Sequence, residues 1–192
     1  MPTFLQKFFA KYKYFKANSE NIGNNIYVIT PRLVSCPNNS LFIGNDFFAG
    51  PGLYMSANEY CAIRIGSAVM FGPDLMLLAG NHEFSYTDDH LRYHASNDIN
   101  SKNIIIGDGV WVGARSTMLS GADIGEGAVI GAGSIVNKII PPYCIAAGVP
   151  AKVIKPRYKN VEQLKRVLKN TGSQLSAEII MTKIAKCIDE NK

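Results

Sequence analysis

From residue 106 onward, apolar residues recur at a spacing of six. The hexads IGDGVW, VGARST, MLSGAD, IGEGAV and IGAGSI start at Ile106, Val112, Met118, Ile124 and Ile130, and glycine follows at Gly107, Gly113, Gly125 and Gly131. The same beat runs through IGNDFF from Ile43 and through IGSAVM, FGPDLM and LLAGNH from Ile65. An amphipathic helix repeats its apolar side every 3.6 residues and a half-buried strand every two. A period of six with glycine in second place fits instead a parallel β-helix of hexapeptides, in which a short strand is followed by a turn. The aliphatic residue is then expected to point inward and stack on its equivalents in the coils above and below. The glycine is expected to turn the corner with backbone angles that other residues avoid.

The beat defines the rest by its absence. Residues 22–80 read as less regular coils, with recognisable hexads from Ile43. Residues 83–103, EFSYTDDHLRYHASNDINSKN, lose the pattern and turn polar, which predicts a loop extruded from the β-helix. Residues 104–140 are the cleanest coils, and PPY (141–143) and GVP (148–150) punctuate the end. The spacing then becomes helical in VEQLKRVLK and in SAEIIMTKIAKCI, with Ser176 as an expected N-cap. At the other end, Phe4, Leu5, Phe8, Phe9, Tyr12 and Phe15 share one helical face among lysines. Two readings stay open for this helix: a cap over the first coil, or an interfacial helix resting on an anionic membrane through residues 1–18. The expected organisation is a cap over 1–20, a β-helix over 21–157 and a helical extension over 158–192.

Composition narrows the class. In 192 residues, 47% are apolar and 18% charged, which describes a folded domain with appendages. The net charge of +5 is concentrated in the N-terminal segment and beyond Lys152, which suits an anionic small ligand or a membrane surface. No basic cluster alternates with stacking aromatics, so nucleic acid is not expected as a partner. Cys36, Cys61, Cys144 and Cys187 are far apart and form no CxxC pair. They read as reduced thiols in a cytoplasmic protein, without structural zinc. No apolar run is long enough for a bilayer, and the lysine-threaded N-terminus does not read as a secretory leader.

The segment IGDGVWVGARSTMLSGADIGEGAVIGAGSIVNKIIPPYCIAAGVPAKVIK resembles the C-terminal half of the hexapeptide-repeat acetyltransferases. These include galactoside and maltose acetyltransferases, streptogramin acetyltransferases and polysaccharide O-acetyltransferases. IGNDFFAGPGLYMSA and IRIGSAVMFGPDLMLLAGNHEF are similar to the upstream half, so the resemblance covers about residues 41–157. It implies a left-handed β-helix, a departure from the usual right-handed crossover. It also implies a homotrimer with active sites between subunits, and acetyl-CoA as co-substrate.

The family's catalytic histidine falls on His82, where the coil gives way to the loop. An imidazole suits removal of the acceptor's proton during attack on a thioester. Its orienting partner is left open among Glu83, a backbone carbonyl, Asp88 and Asp89. Asn81 is a candidate for acceptor binding or for turn chemistry alone. By the same resemblance Trp111 flanks the thioester end, and Gly113, Ala114, Gly131 and Ala132 let pantetheine approach the backbone. Lys138, Lys152, Lys155 and Arg157 are candidates for the phosphates and the adenine end. Galactoside acetyltransferases carry a sugar-binding asparagine where FFAGPGLYMSA offers Gly50 and Gly52, which argues against a galactoside acceptor. The wording is closer to polysaccharide and lipopolysaccharide O-acetyltransferases, with Asn58, Glu59 and Arg64 shaping the acceptor end.

The expected activity is therefore acetyl transfer to a sugar hydroxyl of a surface-polysaccharide precursor by direct attack, weighed against three rivals. One is an antibiotic or amino-sugar acetyltransferase of the same fold, and another a non-catalytic assembly module. The third is a zinc hydratase resembling γ-class carbonic anhydrases, for which His82, His90 and His94 would be the ligands. The absence of histidine from residues 104–140 argues against it, and no metal is expected.

Overall fold

The computed structural model describes residues 13–85, 87–93 and 100–191. Its strands wind in successive three-sided coils. The first coil holds β1 (Tyr27–Val28), β2 (Leu33–Ser35) and β3 (Leu41–Ile43). The second holds β4 (Phe48–Ala49), β5 (Tyr54–Ser56) and β6 (Ile63–Ile65), and the third β7 (Met70–Phe71), β8 (Met76–Leu78) and β9 (Ile104–Ile106). The fourth holds β10 (Trp111–Val112), β11 (Thr117–Leu119) and β12 (Asp123–Ile124), and the fifth β13 (Val129–Ile130), β14 (Ile135–Val136) and β15 (Ile139–Ile140). β16 (Cys144–Ala147) opens a sixth turn, and β17 (Lys152–Pro156) folds back on it antiparallel, closing that sheet. Equivalent strands pair in parallel and form three sheets, here called the first, second and third faces in the order the chain visits them.

The register explains where the beat is kept and where it is lost. On the first face Val28, Ala49, Phe71, Val112 and Ile130 lie opposite one another in succession. On the second, Val34, Met55, Leu77, Met118 and Val136 do so. Each first-face residue is six positions before its second-face counterpart in every coil. The step from the third face to the next first face is also six throughout, as from Ile105 to Trp111 and from Asp123 to Val129. All variation falls at the edge from second to third face: nine residues from Met55 to Arg64, 28 from Leu77 to Ile105, five from Met118 to Asp123. Thus 22–80 is regular on two edges, and even Ile22 is bridged to Ile43. The coils looked irregular in sequence because their insertions gather at one edge.

The interior is mostly apolar, with Ile106, Ile124 and Ile140 stacked on the third face and Val112, Ile130 and Ala146 on the first. The glycines play a different part from the one expected. Gly107 has no positive φ; a Cβ there would lie 2.6 Å from the Glu126 backbone nitrogen in the next coil, so glycine is needed for close stacking. The left-handed angle falls two residues later, at Gly109 (φ +64) but also at Ala68, Asp74 and Arg115. Gly107→Ala is therefore expected to cost about 2–3 kcal/mol by overpacking. Gly109→Ala, which meets nothing within 4 Å, should cost only about 1 kcal/mol of backbone strain. Urea unfolding midpoints of the two variants check this order.

At the start, Phe15 enters the core and Asn18 accepts from the backbone nitrogens of Ser40 and Leu41, both at 3.2 Å. A 3-10 turn, Lys16–Asn21, occupies the end of the predicted N-terminal helix, and residues 1–12 lie outside the described residues. At the other end, α1 (Val161–Thr171) is capped by Asn160 and stopped by Gly172 at φ 72, and α2 (Ala177–Asp189) is capped by Ser176 as the sequence predicts. Leu164, Leu168, Ile180 and Ile184 bury their side chains as the two helices pack on each other and α2 packs on β17.

Candidate active site

His82 stands at the one variable edge, four residues past Leu78, the last paired residue of β8. The chain leaves the ladder earlier than the polar run 83–103 suggested, so His82 belongs to the first stretch of the extruded segment. A rigid clasp holds that stretch. The Asn81 N–H donates to Ser101 Oγ at 3.2 Å, and the same oxygen accepts from Asn58 Nδ2 at 2.9 Å. The His82 N–H donates to Asn81 Oδ1 at 3.0 Å, and its carbonyl accepts from Asn100 Nδ2 at 3.2 Å. The outgoing and returning ends of the loop are thereby tied to the shorter insertion of the coil before, leaving the exposed imidazole over a stiff base. Ser56, Asn58, Leu78, Gly80, Asn81 and His82 line a cleft of about 280 Å³.

Several expected site residues have other duties here. Glu83 accepts from the Ser85 N–H at 2.7 Å and the Ser85 hydroxyl, and from Asn100 Nδ2 at 3.4 Å, which makes it a brace for the loop. Asp89 accepts from the His90 N–H at 2.6 Å and Asp88 from the Thr87 hydroxyl at 3.3 Å, both within their own turn. Asn81 performs turn chemistry and also lines the cleft. Arg64 lies outside the cleft lining, with its guanidinium 4.0 Å above the Phe42 ring on the third face, and Glu59 is exposed. His94 falls outside the described residues, and no three His, Cys, Asp or Glu side chains among the described residues are grouped as metal ligands. Asn100 and Ser101 were missed: they fall in the aperiodic segment, where no spacing marks them.

The candidates for the co-substrate divide between edges. Trp111 is half exposed on the first face, between Met70 and Val129. Gly113, Ala114, Gly131 and Ala132 stack along the edge from first to second face: a Cβ on Gly113 would lie 2.5 Å from the Ala132 nitrogen. Lys152 lies opposite Ala147 and Lys155 opposite Ile145, so both continue this region at the end of the first face. Lys138 lies in the turn between β14 and β15, on the variable edge. Arg157 donates to the Gly127 carbonyl at 2.7 Å, on the edge from third to first face. Within one chain, then, the small-residue edge and His82 are on different edges, separated by the second face.

Thiol chemistry offers no rival nucleophile at the cleft. Cys61 donates to Asn58 Oδ1 at 3.0 Å, and burial pushes its pKa up, so it remains a protonated donor. Burial likewise raises Cys36 to about 11 and Cys144 to about 12.

The fold and sequence have counterparts among known proteins. Residues 103–138 match the family model for the bacterial transferase hexapeptide (six repeats). The chain is 36% identical over 134 residues to the galactoside O-acetyltransferase of Escherichia coli K12, covering 70% of this chain and 62% of that one. It is 32% identical over 142 residues to WbbJ of the same strain, provisionally named as a lipopolysaccharide-biosynthesis O-acetyl transferase, covering 60% of this chain and 71% of that one. A solved galactoside acetyltransferase in complex with coenzyme A has a TM-score of 0.54 at 32% identity, over 69% of this chain and 65% of that one. The chain thus spans a little more than half of the length of the first curated relatives it matches.

Proposed function

The chain belongs to the hexapeptide-repeat acetyltransferases, and from that premise we propose that it transfers acetyl from acetyl-CoA to a hydroxyl of a sugar, in a surface-polysaccharide precursor. The observation that carries the reading is His82, exposed at a small cleft and clasped through its backbone by Asn81 and Asn100. The imidazole takes the proton of the acceptor hydroxyl as its oxygen attacks the thioester carbonyl. Collapse of the tetrahedral adduct breaks the carbon–sulfur bond, and the imidazolium returns the proton to the departing thiolate. Backbone N–H groups of a tight coil suit the charge that develops on the carbonyl oxygen. No acyl-enzyme is needed, in keeping with buried, protonated thiols.

The edge that suits pantetheine lies away from His82 in its own chain, so the site is completed by a second copy. A homotrimer of left-handed coils brings the Trp111 edge of one subunit to the cleft of the next. A cytoplasmic setting is part of the same reading, supported by four widely spaced cysteines that suit reduced thiols. Lys152 and Lys155 serve the phosphates of coenzyme A. Replacing both with alanine is expected to raise KM for acetyl-CoA about tenfold with kcat little changed, since lost charge-assisted contacts of this kind weaken ground state and transition state alike. The function itself is tested by release of free thiol from acetyl-CoA against a panel of sugars and amino sugars. Release with hydroxyl acceptors supports the reading; release only with amines makes the protein an N-acetyltransferase, and none with any acceptor makes it a non-catalytic module.

A further inference from the structure

A larger cavity, about 630 Å³, lies at the edge from third to first face, roofed by the end of α1 and the link to α2. It shares no lining residue with the His82 cleft. Its size falls in the range of small-molecule pockets. Tyr143 and Tyr158 stand in its wall with ring centroids 6.1 Å apart and planes tilted by 44°. The Tyr143 hydroxyl donates to Glu126 Oε1 at 2.5 Å and the Ser173 hydroxyl to Glu126 Oε2 at 3.0 Å, so each oxygen of that carboxylate already holds a partner within the chain. Asp108 and Arg157 keep more of their capacity open. Asp108 uses Oδ1 for the Ser67 N–H at 2.7 Å, and Arg157 gives one N–H to the Gly127 carbonyl while its guanidinium lies 5.4 Å from the centroid of the Tyr158 ring, which leaves its other N–H groups for a ligand. Although both line the same cavity, no ion pair joins Arg157 to Asp108 or Glu126 among the described residues.

These groups select a ligand chemistry. Two carboxylates against one guanidinium disfavour a phosphate, sulfate or carboxylate. An apolar ligand would strip water from charged groups without replacing their hydrogen bonds. A neutral polyhydroxyl compound satisfies both sides, because each hydroxyl donates to a carboxylate and accepts from a guanidinium. Its C–H faces pack against tyrosine rings, whose apolar bodies carry polar tips. We propose that this cavity is a second carbohydrate-binding site, taking a neutral hexose unit against the wall formed by Tyr158, Asp108 and Arg157. Its role as a holder for a distant unit of the acceptor rests on the acetyltransferase reading; the binding itself does not.

The test is saturation-transfer NMR with lactose, maltose and maltotriose on the full chain without acetyl-CoA, so that catalysis does not enter. Binding to the wild type and to His82→Ala, weakened at least tenfold in Tyr158→Ala and in Asp108→Asn, is the expected result. Asp108→Asn keeps the volume and the Ser67 contact, which guards against a folding artefact. Absence of binding by all three sugars overturns the proposal. So does binding that survives both cavity variants, or binding lost in His82→Ala alone.

Discussion

His82→Ala is expected to lower kcat by about 10²–10⁴-fold, the usual worth of a positioned general base. The KM for acetyl-CoA should change little, because the groups proposed for the co-substrate, Trp111 and the stack from Gly113 to Ala132, lie away from the His82 edge. The fold should be unaffected. The imidazole is exposed, and the contacts that fix the segment run through the backbone N–H and carbonyl of residue 82, which alanine keeps. Steady-state kinetics with the acceptor found by the sugar panel reads the effect. Partial recovery with added imidazole would tie the loss to proton transfer. An unchanged kcat would remove His82 from the mechanism. A loss confined to KM would make it a binding residue instead.

Phe71→Ala is expected to destabilise the protein by about 3–5 kcal/mol. Phe71 is 1% exposed and meets Phe47 edge to face, with centroids 5.1 Å apart. Its neighbours in the inward column of the first face are Ala49 and Val112, so one large ring fills space that smaller side chains above and below leave open. Stacked coils have no loose element that can move in to close such a void, and the cavity cost should be felt in full. For a chain of this length the loss corresponds to a fall in Tm of roughly 10 °C, measured at one protein concentration because oligomerisation contributes. Ala49→Leu in the same chain should restore part of it, by returning volume to the same column. A shift of less than about 1 kcal/mol would mean that the interior repacks far more freely than a close-packed core does.

How much of this was legible in the sequence depended on the edge. Two edges of the prism keep a strict step of six, and there the hexads predicted strand positions and inward residues, as at Val112, Met118, Ile124 and Ile130. The third edge carries every insertion, so it broke the period and hid the regularity of the early coils. The role of glycine was misplaced because a repeat shows that a small residue is required without showing why: Gly107 answers to a neighbouring coil, and the left-handed angle two residues later tolerates Arg115 and Asp74. His82 was reached through family resemblance. Its clasp was not, because Asn58 and Ser101 are 43 residues apart in sequence and meet only when the two insertions stack. The cations were grouped by charge alone. In a three-sided coil a few residues along the chain change the edge, which is why Lys138 and Arg157 part from Lys152 and Lys155.

The most direct measurement is a crystal structure with coenzyme A bound. A trimer is expected in which pantetheine runs beside Gly113 and Ala132 of one subunit and the thiol comes within about 3–4 Å of the imidazole of His82 on its neighbour. A monomer, or a thiol resting beside an edge that no His82 reaches, would contradict it.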